Sequence, residues 1–127
     1  MTDLESLRLA EDFFAADTEM LALARALILG ALERWPDTAI VTQKTQVGLG
    51  GPRPFCALYP PRKAADRKAH ALGVSLFLPY APESERIAMA VEAYPGRFTC
   101  HMVVRNAAEL DEALWAWLAE ARQFRNP

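Results

Sequence analysis

Residues 98–110 read FTCHMVVRNAAEL, and this stretch carries the clearest structural pattern in the chain. Its even positions up to 104 are apolar: Phe98, Cys100, Met102 and Val104. Such alternation predicts a β-strand that buries one face. Asn106 and Glu109 have the spacing of residues that cap a helix N-terminus, so we expect the final helix to begin there. A strand followed directly by a helix is the predicted C-terminal unit.

Helices are predicted at both ends of the chain. The final helix carries an apolar stripe: Leu110, Leu114, Trp117, Leu118 and Ala121. Near the N-terminus, Thr2 and Glu5 have capping-box spacing and predict a short helix that reaches Phe14. A second helix, capped by Asp17 or Thr18, has apolar residues at three- and four-residue steps until Pro36 stops it.

The segment between these helices alternates like strands. Ala39, Val41, Val47 and Leu49 share one parity and are expected to face the core. A turn at residues 50–52 and renewed alternation over residues 55–59 predict a β-hairpin. Residues 62–68 are expected to form an exposed loop, and residues 71–78 a third strand. The segment 87–91 fits either a short strand or one helical turn.

This order of elements predicts the fold class. We expect residues 1–127 to form a single α+β domain. We predict an antiparallel sheet of about four to five strands, with two N-terminal helices and a C-terminal helix packed on one face. The length is typical of one domain.

Composition bears on location. The formal net charge of -2 gives no bulk attraction for nucleic acid or anionic membranes. No apolar run approaches the roughly 18 residues that span a bilayer, so we expect no membrane contact. Residues 1–5 are acidic rather than basic, unlike a secretory leader. Cys56 and Cys100 each lie in an apolar run, which predicts buried free thiols and a cytoplasmic protein.

Several short segments resemble a known family. The segments are QKTQVG at 43–48, PRPF at 52–55, LFLP at 76–79, YPGRF at 94–98 and AELD at 108–111. They resemble a small bacterial family known only as a domain of unknown function, DUF5655, over most of the chain. More distantly, the strand-turn-strand section is similar to YdhG-like (DUF1801) domains, some of which are likened to frataxin-type iron chaperones. The resemblance implies no catalytic signature.

The first candidate site is the polar side of the predicted sheet. Strand parity places a set of long or titratable side chains opposite the core: Lys44, Gln46, Arg97, His101 and Arg105. Converging donors of this kind hold carboxylates or phosphates, so we expect a small anionic ligand there. Protonation of His101 would then strengthen binding as the pH falls through about 6.5. The alternative is that these residues are simply the solvated face of an antiparallel sheet.

Other functions stay open. Glu11, Asp12 and Glu19 on the first two helices offer oxygen ligands for iron, which the frataxin-like similarity implies; a solvated helix face is the alternative. The basic segment 62–70 could contact nucleic acid phosphates, although it lacks a helix that reads bases. Leu21, Leu29 and Trp115 flank the apolar stripes and suggest a homodimer, while burial at the sheet edge explains them equally well.

Enzymatic activity is not expected. No cluster of nucleophile and base is visible, because Cys100 and His101 are neighbours on a strand and point to opposite faces. No zinc-ligand spacing occurs, and we expect no cofactor. The main prediction is therefore a cytoplasmic, non-enzymatic binding or accessory domain.

Overall fold

The computed structural model describes residues 3–127, so Thr2 of the predicted capping box lies outside the described residues. Within this part, the helices are α1 (Asp3–Phe13), α2 (Thr18–Arg34), α3 (Ala64–Lys68) and α4 (Glu112–Arg125), with one 3-10 turn at Ala107–Glu109. The strands are β1 (Ala39–Thr42), β2 (Val47–Gly50), β3 (Pro54–Tyr59), β4 (Leu72–Leu78), β5 (Met89–Tyr94) and β6 (Arg97–Val104).

The described residues form one antiparallel sheet of six strands in the order β1-β2-β3-β4-β6-β5. The α+β class and the antiparallel sheet are thus confirmed, with slightly more strands than the four to five predicted. The segment 87–91 resolves as the start of β5, an edge strand beginning at Met89. The predicted hairpin at residues 50–52 is confirmed as β2 and β3.

The parity predicted across residues 39–49 is wrong in its first half. Gln43 donates its N–H to the carbonyl of Gln46 at 2.8 Å, so a turn divides the segment into β1 and β2. Parity does not carry across a turn. Ile40 is therefore the buried residue of β1, whereas Ala39 and Val41 are exposed.

Two other boundaries differ from expectation. The predicted loop at 62–68 contains the short helix α3. Asn106 caps only the 3-10 turn, by accepting the N–H of Ala108 at 3.0 Å. The cap of α4 is Asp111, which accepts the N–H of Leu114 at 3.1 Å. The two caps follow each other because the chain bends between the turn and the helix.

One face of the sheet, called the core face here, packs against helices. Buried side chains from α1, α2, α4 and the sheet form a common cluster that includes Ala10, Leu27, Leu118, Val74 and Met102. Burial of this apolar surface drives folding. No helix within residues 3–127 has the length and apolar character needed to cross a bilayer.

The cysteines lie on the core face as free thiols. Cys56 and Cys100 are fully buried, as predicted. Leu76 of β4 pairs with both of them and separates their strands. Burial raises the pKa of each thiol, which keeps both protonated and unreactive.

Candidate functional site

Three polar side chains meet on the opposite face of the sheet, called the polar face here. Ser75 of β4 pairs directly with His101 of β6, and Tyr59 of β3 lies two residue pairs further along, on the same face. Paired residues of antiparallel strands project to the same side. The Tyr59 hydroxyl lies 2.7 Å from Ser75 Oγ and 3.0 Å from His101 Nδ1, and Ser75 Oγ lies 2.9 Å from that nitrogen. We call this arrangement the polar triangle.

Proton accounting leaves two tautomers open for His101. Each hydroxyl has one proton to donate, and Nδ1 of a neutral imidazole either donates or accepts, but not both. The two shortest contacts are satisfied when Tyr59 donates to Ser75 and Ser75 donates to Nδ1, which places the ring proton on Nε2. They are equally satisfied when Tyr59 and Nδ1–H both donate to Ser75, which leaves Nε2 as an acceptor. In either tautomer, Nε2 has no hydrogen-bond partner in residues 3–127. In that part of the chain, the fully buried side-chain polar atom without a partner is Thr42 Oγ1. Nε2 of His101 also lacks a partner but is not fully buried, so solvent reaches it.

The surroundings keep the polar triangle uncharged. Burial lowers the pKa of His101 below its ordinary value of 6.5, and the positive charge of Arg62 lowers it further. Burial also raises the pKa of Tyr59, although the Ser75 hydrogen bond and Arg62 oppose this shift. At neutral pH the triangle therefore presents a neutral imidazole with an unpartnered Nε2, near the fixed charge of Arg62.

Two cavities flank the polar triangle. The first, called the loop cavity, has a volume of about 350 Å³ and lies between the segment preceding α3 and the start of β5. The second, called the sheet cavity, has a volume of about 360 Å³. The residues that line both are Tyr59, Arg62 and His101. The arrangement is a pair of recesses with a shared cation and a shared neutral imidazole.

The cavities gather part of the predicted ligand set. His101 lines both cavities, Arg105 lines the loop cavity, and Gln46 lines the sheet cavity. Lys44 lines neither; it lies in the turn between β1 and β2, of which Thr45 and Gln46 are the residues that reach the sheet cavity. Arg97 also lines neither; it begins β6 beside the turn at Gly96.

Three residues of this site were not among those predicted from the sequence. Tyr59 and Ser75 have the strand parity of the polar face, but their contact with His101 depends on the pairing of β3 with β4 and of β4 with β6. Arg62 belongs to the basic segment 62–70, which the sequence suggests as a separate candidate site for nucleic acid phosphates. The signal available in the sequence was Ser75 itself, a hydroxyl amid the apolar run LGVSLFL of β4, which is only 3% exposed.

The basic segment 62–70 is held against the domain. Arg67 donates to the carbonyls of Pro61 and Arg62. His70, with the left-handed backbone angle φ of 61°, lies 3.0 Å from the Asp17 carboxylate. These contacts engage the side chains of Arg67 and His70. The residues at the start of the segment, Arg62 and Lys63, line the loop cavity.

The residues of the iron alternative lie on α1 and α2. Glu11 forms an ion pair with Arg25 at 2.8 Å. Across residues 3–127, no three His, Cys, Asp or Glu side chains come together in a group that could hold a metal ion. Iron handling remains an untested alternative.

The residues that suggested a homodimer have different environments. Trp115 is half-buried and packs against Trp35, with ring centroids 6.2 Å apart, and the Arg34 guanidinium lies 3.8 Å from its ring. Leu21 is half-buried against the core, whereas Leu29 is 38% exposed. Contacts within the fold thus account for Trp115 and Leu21, and the oligomeric state stays a prediction.

Comparison with known proteins gives a family. The model of a domain of unknown function, DUF5655, matches residues 10–125. Neither a curated protein nor a solved structure matches the chain. The more distant similarity to YdhG-like domains stays a prediction. Because the match extends over most of the sequence and includes the whole polar triangle, the chain belongs to the DUF5655 family.

Proposed function

We propose that this protein is a binding domain for a small anionic molecule, held at the polar triangle between the loop cavity and the sheet cavity. The observation that carries the proposal is the unpartnered Nε2 of His101, whose ring is held at Nδ1 by two hydroxyls and which lines both cavities together with Arg62. In the tautomer with the ring proton on Nε2, a charged donor and a neutral donor suit two oxygens of one anion.

Arg62 is suited to this role by its lack of competing partners. Within residues 3–127 no carboxylate lies within ion-pair distance of it, unlike Arg86 and Arg105, which pair with Asp111 and Asp66. Its charge reaches both His101 and Tyr59. An anion would thus gain an interaction with Arg62 without breaking an existing ion pair.

The hydroxyl partners of His101 support binding rather than catalysis. Ser75 is only 3% exposed, so its oxygen is not placed to attack a substrate. In the tautomer with the ring proton on Nε2, the Ser75 proton is donated to Nδ1. Ser75 and Tyr59 orient the imidazole, which is the supporting shell that a precise binding site needs.

Calorimetric titration with sodium acetate, benzoate, hexanoate and phosphate tests the proposal. We expect at least one anion to bind and to raise the melting temperature, because ligand at a hundredfold excess over its Kd stabilises by about 2.7 kcal/mol. Arg62→Met should abolish binding with the fold intact, since Arg62 is exposed. Lys68→Met is the matched control, because Lys68 is an exposed cation of α3 that lines neither cavity.

The same titration can contradict the proposal. Absence of binding by every anion at millimolar concentration would remove it. Equal losses of binding in the Arg62→Met and Lys68→Met proteins would also count against it, because they would indicate general attraction to the basic segment rather than a site.

A further inference from the structure

The charges around the loop cavity are nearly balanced. Basic and acidic side chains line it together: Arg62, Lys63, Arg86 and Arg105 with Asp66, Glu85 and Glu109. Arg86 contacts both carboxylate oxygens of Asp111 at 2.9 and 3.1 Å, and Arg105 lies 3.4 Å from Asp66. The four basic side chains exceed the three acidic ones by one, so the lining matches a single negative charge better than a double one.

The rest of the loop cavity is apolar. Met89 of β5 pairs with His101 of β6, so the two side chains are neighbours on the polar face. Met89 is 46% exposed although it is large and apolar, and Val103 and Pro61 continue the apolar lining. The volume of about 350 Å³ is within the range of small-molecule sites, roughly 300–1,000 Å³. An apolar group beside the anion would cover Met89 from water.

We infer that the ligand is an organic monocarboxylate whose carboxylate contacts Arg62 and His101 Nε2 and whose apolar body lies over Met89 in the loop cavity. This inference rests on the proposed anion site and specifies its ligand class. Planar carboxylate geometry places its two oxygens on the two donors. The apolar body supplies the affinity that one exposed arginine cannot, because exposed ion pairs contribute little.

Titrations with four probes test the ligand class. We expect hexanoate to bind at least tenfold more tightly than acetate, because each buried methylene adds to the affinity. We also expect hexanoate to bind more tightly than inorganic phosphate, and 1-hexanol, which lacks the charge, not to bind measurably.

A pair of variants on β5 tests the position of the apolar body. Met89→Ser should weaken hexanoate binding several-fold and leave acetate binding unchanged. Val91→Ser is the matched control, since Val91 lies on the same strand and face with the same 46% exposure but lines neither cavity. Equal effects of the two substitutions on hexanoate binding would overturn the assignment.

The outcomes separate this inference from the proposed function. If phosphate binds as tightly as hexanoate, the anion site stands and the monocarboxylate assignment is wrong. If acetate binds as tightly as hexanoate, the anion site stands and the apolar body over Met89 is wrong. If no probe binds, the anion site itself is wrong. An N-acetylated tetrapeptide ending in leucine presents the same chemistry from a protein C-terminus, and tighter binding of this peptide than of hexanoate would overturn the assignment to a free acid.

Discussion

At the scale of single residues, the polar triangle links stability to recognition. Tyr59 and Ser75 hold one ring nitrogen of His101 by hydrogen bonds, which leaves the other free to face a ligand. A partly buried polar group is tolerated only when it has hydrogen-bond partners, and these three side chains supply them to one another. Removing one member should therefore change both folding and binding.

Tyr59→Phe should lower the free energy of unfolding by about 1 kcal/mol, because it removes one hydroxyl while Ser75 and His101 remain bonded. Urea denaturation measures the change. Tyr80→Phe is the control: Tyr80 is 41% exposed and its hydroxyl bonds to Glu120 at the surface, so we expect a smaller loss. Equal losses of unfolding free energy in the two variants would show that the polar triangle stabilises the fold no more than a surface hydrogen bond does.

The two histidines should titrate in opposite directions from 6.5. Burial and Arg62 lower the pKa of His101, whereas the hydrogen bond to Asp17 raises the pKa of His70. NMR titration of the ring protons should place the midpoint of His101 below 6.5 and that of His70 above it. The reverse order, or a midpoint of His101 above 6.5, would contradict the environment described here.

These shifts also have opposite effects on stability. Because the unfolded chain binds a proton more readily than folded His101, this residue makes the protein less stable as the pH falls through 6.5 towards its folded pKa. The His70–Asp17 pair stabilises below 6.5, and its contribution is lost as the pH rises through the folded pKa of His70. With this lowered pKa, we expect the strengthening of anion binding that follows protonation of His101 to occur below pH 6.5.

The sequence indicates His101 but not its partners. Alternation in residues 98–104 places His101 opposite the apolar positions, and local periodicity is sufficient for that. The contacts with Tyr59 and Ser75 join residues 42 and 26 positions apart in the chain. Such contacts depend on the pairing register between strands, which no local pattern of this chain specifies.

At the scale of elements, strand register builds the site. Tyr59 of β3 pairs with Gly73 of β4, and the absence of a side chain at Gly73 leaves room for the tyrosine ring. A Cβ added at Gly73 would lie 2.5 Å from Tyr59 Cε2 and 2.8 Å from the Tyr59 carbonyl oxygen. The glycine thus positions the ring at the polar triangle.

Gly73→Ala should destabilise the protein by about 1–3 kcal/mol, the usual range for overpacking, and should also weaken anion binding. Gly48→Ala is the matched control within the sheet, because its Cβ would meet no atom closer than 3.6 Å. Thermal unfolding and calorimetric titration of both variants measure the effects. A Gly73→Ala protein as stable as the Gly48→Ala protein would contradict the packing described.

The caps before α4 give a second comparison. Asp111 accepts the N–H of Leu114 and binds Arg86, whereas Asn106 caps only the 3-10 turn. Asp111→Ala should cost about 1–2 kcal/mol of unfolding free energy, in the range of strong N-caps. Asn106→Ala should cost less, and urea denaturation can rank them. The opposite ranking would indicate that α4 depends on the 3-10 turn rather than on Asp111.

Element types were easier to predict than their junctions. Alternation indicated β6 correctly because it is one uninterrupted strand of eight residues. Alternation over residues 39–49 predicted the wrong burial for β1, because a turn interrupts the segment. Gln43 and Gln46 close that turn through backbone and side-chain hydrogen bonds, without glycine or proline. The same turn removes Lys44 from the sheet surface.

At the scale of the whole molecule, helices α1, α2 and α4 and the proposed ligand site occupy different faces of one sheet. The core face supplies the buried cluster with α1, α2 and α4. The polar face carries the polar triangle and both cavities. The basic excess of residues 41–70, six basic against one acidic, lies in the part of the chain that supplies Arg62.

Mapping the bound anion by NMR tests the central claim most directly. Amide chemical shifts of the ¹⁵N-labelled protein would be followed during titration with hexanoate at constant pH. We expect the largest changes at Tyr59, Arg62, Met89 and His101, and none of similar size in the Arg62→Met protein. Shifts confined to α1 and α2, or none at millimolar hexanoate, would contradict a ligand site on the polar face.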